Sequence, residues 1–136
     1  MMNNHLHSNI TEVILKAFYK VYNELGFGFL EKVYENAMYY EIRKAGLYVL
    51  RQSPQKVFYD ELEVGHYYAD LIVESCVIIE LKAAEGLCEQ HEAQLVNYLR
   101  ASDIEVGLLL NFGKKPEMRR KVFHSVYKKH SISSPS

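Results

Sequence analysis

Apolar positions along the chain change period several times, and each change marks an element. From Asn9 to Leu25, residues Ile10, Val13, Ile14, Ala17, Phe18, Val21, Tyr22 and Leu25 recur at helical spacing. Ser8 or Asn9 can cap this first helix and Gly26 can end it. After Gly26-Phe27-Gly28-Phe29, a second helix is predicted from about Leu30 to Ala45, with Gly46 as its stop and Leu30, Val33, Tyr34, Ala37 and Met38 as its buried stripe. Residues 47–59 read as an extended segment, and Pro54 favours an edge position for it because proline donates no ladder bond. Residues 65–82 read as two strands joined by a tight turn at Glu74-Ser75. A third helix, Glu89 to Ala101, turns His91, Gln94, Leu95, Tyr98 and Leu99 inward. Residues 105–112 are nearly all apolar, the pattern of a strand covered on both sides. A last helix is predicted over 116–127, packed through Met118, Val122, Phe123 and Val126. The polar ends, 1–8 and 131–136, are expected to be loose, and no repeat or linker divides the 136 residues into two domains.

Three charged residues interrupt the apolar hairpin: Asp70, Glu80 and Lys82. A strand that buries a face does not carry an unpaired charge without cost, so these positions call for a reason. The pleat puts Ile78, Glu80 and Lys82 on one face and Val77, Ile79 and Leu81 on the other, and it groups Asp70 with Tyr68 and Ile72. A three-residue turn, Glu74-Ser75-Cys76, pairs Val73 with Val77 and sets Asp70 opposite Glu80, with Cβ atoms about 4.5–5.5 Å apart. Two carboxylates at that distance repel unless a cation lies between them. A two-residue turn, Glu74-Ser75, sets Asp70 against Ile79 and sends the carboxylates to opposite faces. A shared carboxylate site therefore requires the odd-length turn.

Asp70 followed by Glu80-Leu81-Lys82 resembles the core of the PD-(D/E)XK nuclease superfamily, with Ala69 where the motif has its proline. Gly28-x-x-Glu31-x-x-Tyr34 resembles the signature of the small bacterial GxxExxY family of that superfamily. Gln94-x-x-x-Tyr98 is similar to the QxxxY motif of its RecB-like branch. The resemblance covers roughly residues 10–125. It implies an α/β fold with a restriction-endonuclease-like core: a small mixed β-sheet flanked by helices, in the order two helices, strand, β-hairpin, crossover helix, strand, C-terminal helix. It also implies a metal-dependent nuclease that hydrolyses phosphodiester bonds in DNA without evident sequence specificity. In that scheme Asp70 and Glu80 hold Mg²⁺ or Mn²⁺ with the Leu81 carbonyl, and Glu31 completes the shell. Lys82 assists the attacking water or steadies charge on the phosphate, and Gln94 and Tyr98 orient these groups.

Each residue also has a plainer explanation. Acids such as Glu31 are favoured in a helix's first turn by the macrodipole. Tyr98 can be a core aromatic, Gln94 a hydrogen bonder at a sheet edge, and His91 a satisfied core histidine. The competing functional readings are a catalytically weak or inactive nucleic-acid-binding module on the same fold, and an unrelated α/β interaction module.

Composition narrows the setting. Apolar residues make up 49% and charged residues 24%, as in ordinary globular domains. No apolar run approaches the roughly 20 residues of a membrane span, and the N-terminal residues lack a secretory pattern, so a cytoplasmic protein without a membrane is expected. Cys76 and Cys88 form neither a ligand pair nor a disulfide framework. The net charge of −1 hides an asymmetry, because 7 of the 16 basic residues fall between 114 and 129, opposed there only by Glu117. Lys114, Lys115, Arg119, Arg120 and Lys121 are therefore expected to contact nucleic-acid phosphates. Eleven tyrosines could support a homodimer interface without specifying one.

Overall fold

The computed structural model describes residues 6–128. Helices α1 (Ser8–Leu25) and α2 (Glu31–Lys44) come first, then strands β1 (Val49–Tyr59), β2 (Leu62–Val73) and β3 (Val77–Lys82). Helix α3 (Glu89–Arg100) leads to β4 (Val106–Phe112) and β5 (Pro116–Val122). The strands form one sheet in the order β1-β2-β3-β4-β5. All neighbours are antiparallel except β3 and β4, which run parallel and are joined through α3.

Helices cover both faces of this mixed sheet, which is the expected α/β class. On one face Ile14, Phe18, Tyr34, Met38 and Ile42 of α1 and α2 pack on Leu71, Val73, Val77, Ile79, Leu81, Leu108 and Leu110. On the other, Leu95 and Leu99 of α3 pack on Ala69, Ile72, Ile78 and Leu109. All seven residues of β4 are buried, as its unbroken apolar run requires. Close seating of α3 depends on Gly107, where a Cβ would fall 2.7 Å from Cδ1 of Leu95.

Strand β1 lies at the sheet edge, where Pro54 belongs. Its hairpin with β2 turns through Asp60 and Glu61, both at positive φ, and a bulge follows at Val57/Phe58. The buried stripe of α2 differs from expectation: Tyr34, Glu35, Met38 and Ile42 are buried, while Leu30 and Val33 are exposed.

The predicted C-terminal helix is not formed. Residues 116–122 make the antiparallel strand β5 against β4, and only a single 3-10 turn, Ser125–Tyr127, follows. Met118 and Val122 are four apart, a spacing that lies on one face of a helix and equally on one face of a strand. Both pack on the α1/α2 side, and the next residue, Phe123, packs on the α3 side, so the period is two. The open edge of β4 decides the matter by offering a full ladder from Val106↔Val122 to Phe112↔Pro116. Val126, expected to be packed, is exposed. At the other end, the expected loose stretch 1–8 is ordered from Leu6, which packs against the core, and Ser8 opens α1. Residues 1–5 and the predicted loose tail 131–136 lie outside the described residues.

Candidate active site at the opening between β2 and β3

The hairpin turn has the odd length that a shared carboxylate site demands. Glu74, Ser75 and Cys76 form it, and Val73 pairs with Val77. Glu74 and Ser75 both take positive φ, 53° and 56°. The turn is pinned from outside, because the Glu74 N–H donates to the Tyr48 carbonyl (2.8 Å) and the Tyr48 N–H donates to the Glu74 carboxylate (2.7 Å).

The backbone ladder from this turn stops at Leu71↔Ile79. One step further the strands part, and side chains replace the missing ladder bonds. The Asp70 N–H donates to Glu80 Oε2 (3.3 Å), and the Leu81 N–H donates to Asp70 Oδ2 (2.9 Å). The two carboxylates thus meet in the opening itself. The alternation of β2 also loses phase here: Tyr67 and Ala69 pack with Ile72 on the α3 side, leaving Tyr68 exposed rather than grouped with Ile72 as expected. Across β1, between the pairs Arg51↔Leu71 and Ser53↔Ala69, Gln52 sits at φ 48°. A left-handed residue within a ladder adds local twist, and this one lies at the level of Asp70, where the β2–β3 ladder ends.

Electrostatics mark the same spot. Burial first, and then the Asp70 charge, push the Glu80 carboxyl from 4.5 up to about 8, although the Asp70 N–H and the Lys82 charge pull the other way. The Asp70 carboxyl is also raised, chiefly by burial, against the lowering effect of its bonds from Leu81 and Gln52. Two carboxylates are therefore held together without enough positive charge to settle both. Among the described residues no three His, Cys, Asp or Glu side chains form a metal cluster by themselves. The two carboxylates are hard oxygen groups, a chemistry that suits Mg²⁺ or Mn²⁺.

Helix α2 and the loop before it bring the remaining acids. Tyr34, fully buried, donates its hydroxyl to the Gly26 carbonyl (2.7 Å), accepts from the Phe29 N–H (3.2 Å) and stacks on Phe112 at 4.1 Å. Gly28 takes φ 110°, open to glycine alone without strain. In Gly28-x-x-Glu31-x-x-Tyr34, the first and last residues therefore shape the loop. Glu31 is left exposed at the start of α2, lining a cleft of about 590 Å³ with Ala83 and Ala84 just past Lys82. Its charge acts on both Asp70 and Glu80.

Two site neighbours escaped the sequence reading. Gln52 donates to Glu35 Oε1 (2.7 Å) and to Asp70 Oδ1 (3.3 Å), bridging α2 to the carboxylate pair. Glu35, only 5% exposed, is compensated by Lys32 (3.1 Å) and Arg51 (3.7 Å). The spacing Glu31…Glu35 signals one helix face. Gln52 carried no signal, because the bulge at Val57/Phe58 sets its register against Asp70.

From the other face, α3 brings Tyr98 to the opening. Its ring stacks on Tyr67 at 3.7 Å, and its hydroxyl is raised by burial and then by the charges of Glu80 and Asp70. Gln94, exposed, acts on the same hydroxyl. His91 serves the helix start instead, where Nδ1 accepts the Cys88 N–H (3.3 Å).

The expected basic residues do not form one face, because a strand sends neighbours to opposite sides. Arg119 and Lys121 face α3 and share Glu92 at 3.3 and 2.6 Å. Arg120 points the other way and donates to the Leu6 carbonyl (2.6 Å). Lys114 and Lys115 are exposed in the β4–β5 turn, and Lys114 lines the Glu31 cleft.

A family model described as the PD-(D/E)XK nuclease superfamily matches residues 8–122. No curated protein and no solved structure matches the chain. No helix among the described residues is long and apolar enough to cross a membrane.

Proposed function

Because the chain belongs to the PD-(D/E)XK nuclease superfamily, whose members are generally nucleases that use divalent metal ions, we propose that it hydrolyses phosphodiester bonds in DNA at the opening between β2 and β3. The observation that carries this reading is the crossing of Asp70 and Glu80, each carboxylate accepting an N–H from the opposite strand. Asp70, Glu80 and the Leu81 carbonyl would hold Mg²⁺ or Mn²⁺, with Glu31 at the approach. Such an ion supplies a polarised phosphate and a water of lowered pKa.

The chain's own groups do the rest. The Leu81 and Asp70 N–H groups fix one oxygen of each carboxylate, so the pair is held in place before substrate arrives. Lys82, on the face of β3 that carries Glu80, would neutralise charge growing on the scissile phosphate. Tyr98 would orient the substrate or the attacking water, with Gln94 beside its hydroxyl. Lys114 and Lys115 would meet phosphates further out. No base-reading element is evident among the described residues, which fits recognition of shape or ends.

The test is cleavage of labelled single-stranded, duplex and branched DNA with Mg²⁺, with Mn²⁺ and with EDTA. Cutting that EDTA abolishes is expected. A folded protein that cuts none of these, nor RNA, with either metal overturns the reading.

A further inference from the structure

A second groove, of about 490 Å³, runs between the tip of the β1–β2 hairpin and α3. Phe58, Tyr59, Asn97, Tyr98 and Arg100 supply its aromatic and polar lining, and no carboxylate of the described residues lines it. Tyr59 is 70% exposed, and neighbouring Val64 is exposed as well. Tyr98 lines the groove too; its ring stacks on Tyr67 of β2, and its hydroxyl lies within the influence of Glu80 and Asp70. One tyrosine therefore belongs both to the groove and to the carboxylate opening.

We propose that this groove is a track for single-stranded nucleic acid, with an unpaired base stacked on Tyr59 and a phosphate beside Arg100. The chemistry favours that occupant. A solvent-facing ring that shares a groove with a cation binds a base whose faces are free, and a duplex keeps its base faces covered. The groove carries the Arg100 cation and no carboxylate of the described residues, so its charge suits a phosphate chain. Continuity through Tyr98 gives the bound strand a route to Asp70 and Glu80. That last step rests on the nuclease reading; the binding does not.

The experiment is fluorescence anisotropy in EDTA, where nothing is cut, using labelled oligo-dT, oligo-U and a duplex of equal length. Either single strand should bind at least about five-fold tighter than the duplex. Tyr59→Ala and Arg100→Ala should each weaken that binding about five-fold or more, by the scale of one lost base stack. Tyr40→Ala should not, although that tyrosine, on α2, is also 61% exposed. Circular dichroism confirms that each variant folds. Preference for duplex, binding that ignores Tyr59→Ala, or a dimer that Tyr59→Ala dissolves in sedimentation would overturn the track; the last would make the groove a self-interface. Groove-dependent binding without any cutting sinks the nuclease reading alone. Cutting that is indifferent to both groove variants sinks the track alone.

Discussion

Asp70 and Glu80 close the split end of the β2–β3 hairpin with their own side chains, Glu80 Oε2 taking the Asp70 N–H at 3.3 Å and Asp70 Oδ2 taking the Leu81 N–H at 2.9 Å. The same bonds that hold the carboxylates also finish the sheet. Crowding the two carboxylates nevertheless sets function against local stability at this point when no cation is present.

That opposition is readable as a pH dependence. In the fold Glu80 keeps its proton up to about pH 8, whereas a free glutamate ionises near 4.5. Between those values the folded state binds a proton that the unfolded state has lost, so stability falls as pH rises, by at most about 1.4 kcal/mol per pH unit. The melting temperature of metal-free protein should drop from pH 5 to pH 8. Mg²⁺ should restore it at pH 8, and Glu80→Gln should remove most of the slope. A level or rising metal-free melting curve across that window would contradict a crowded carboxylate pair.

Gln52 ties Asp70 to Glu35 from a left-handed backbone position, φ 48°. Removing the amide in Gln52→Ala should weaken Mg²⁺ binding about ten-fold, the usual scale for a residue that orients a metal ligand. Gln52→Gly removes the same amide but relieves the backbone, so it should melt higher than Gln52→Ala. Metal titration by calorimetry and thermal melts separate the two effects.

Asn111 is fully buried opposite Lys82 and fixes the chain just beyond it. It accepts the Ala84 N–H at 2.8 Å and donates to the Ala84 carbonyl and to Glu117 at 3.0 Å. Asn111→Ala takes this partner from both backbone groups of Ala84, while Glu117 keeps the Leu87 N–H, and should cost about 2–4 kcal/mol in denaturant unfolding, on the scale of about 1–3 kcal/mol for each unsatisfied group. Because the same segment carries Lys82, kcat should fall further than the loss of folded protein explains.

The basic residues should separate by what they already hold. Arg119 and Lys121 are engaged by Glu92, while Lys114 and Lys115 stand exposed in the β4–β5 turn. Replacing both Lys114 and Lys115 with alanine should reduce the salt slope of nucleic-acid binding by about 1–2. Glu92→Ala should tighten binding at low salt by freeing two cations. An unchanged slope in the first variant would remove these lysines from the interface.

Much of the site could be read in the sequence because it depends on parity. The odd turn Glu74-Ser75-Cys76 fixes which face Glu80 takes, and apolar spacing alone placed α1, α3 and β4 to within a residue or two. Elsewhere the spacing was ambiguous or silent. Met118 and Val122 suit a helix and a strand equally, and only the unfilled edge of β4 chooses the strand. The bulge at Val57/Phe58 that sets Gln52 against Asp70 has no marker in the sequence. The buried carboxylate of Glu35 depends on Arg51 and Gln52, which approach from another element.

Asp70 and Glu80 are proposed to form a metal-dependent phosphodiesterase site. Its most direct test is DNA cleavage by the parent protein and by Glu80→Gln, side by side in Mg²⁺, with folding checked by circular dichroism. Glu80→Gln keeps an oxygen that can accept the Asp70 N–H but removes the charge, so it should fold normally and lose cleavage by at least about 10²-fold, as expected when a group stabilising transition-state charge is removed. Cleavage at the parent rate by well-folded Glu80→Gln would contradict the account.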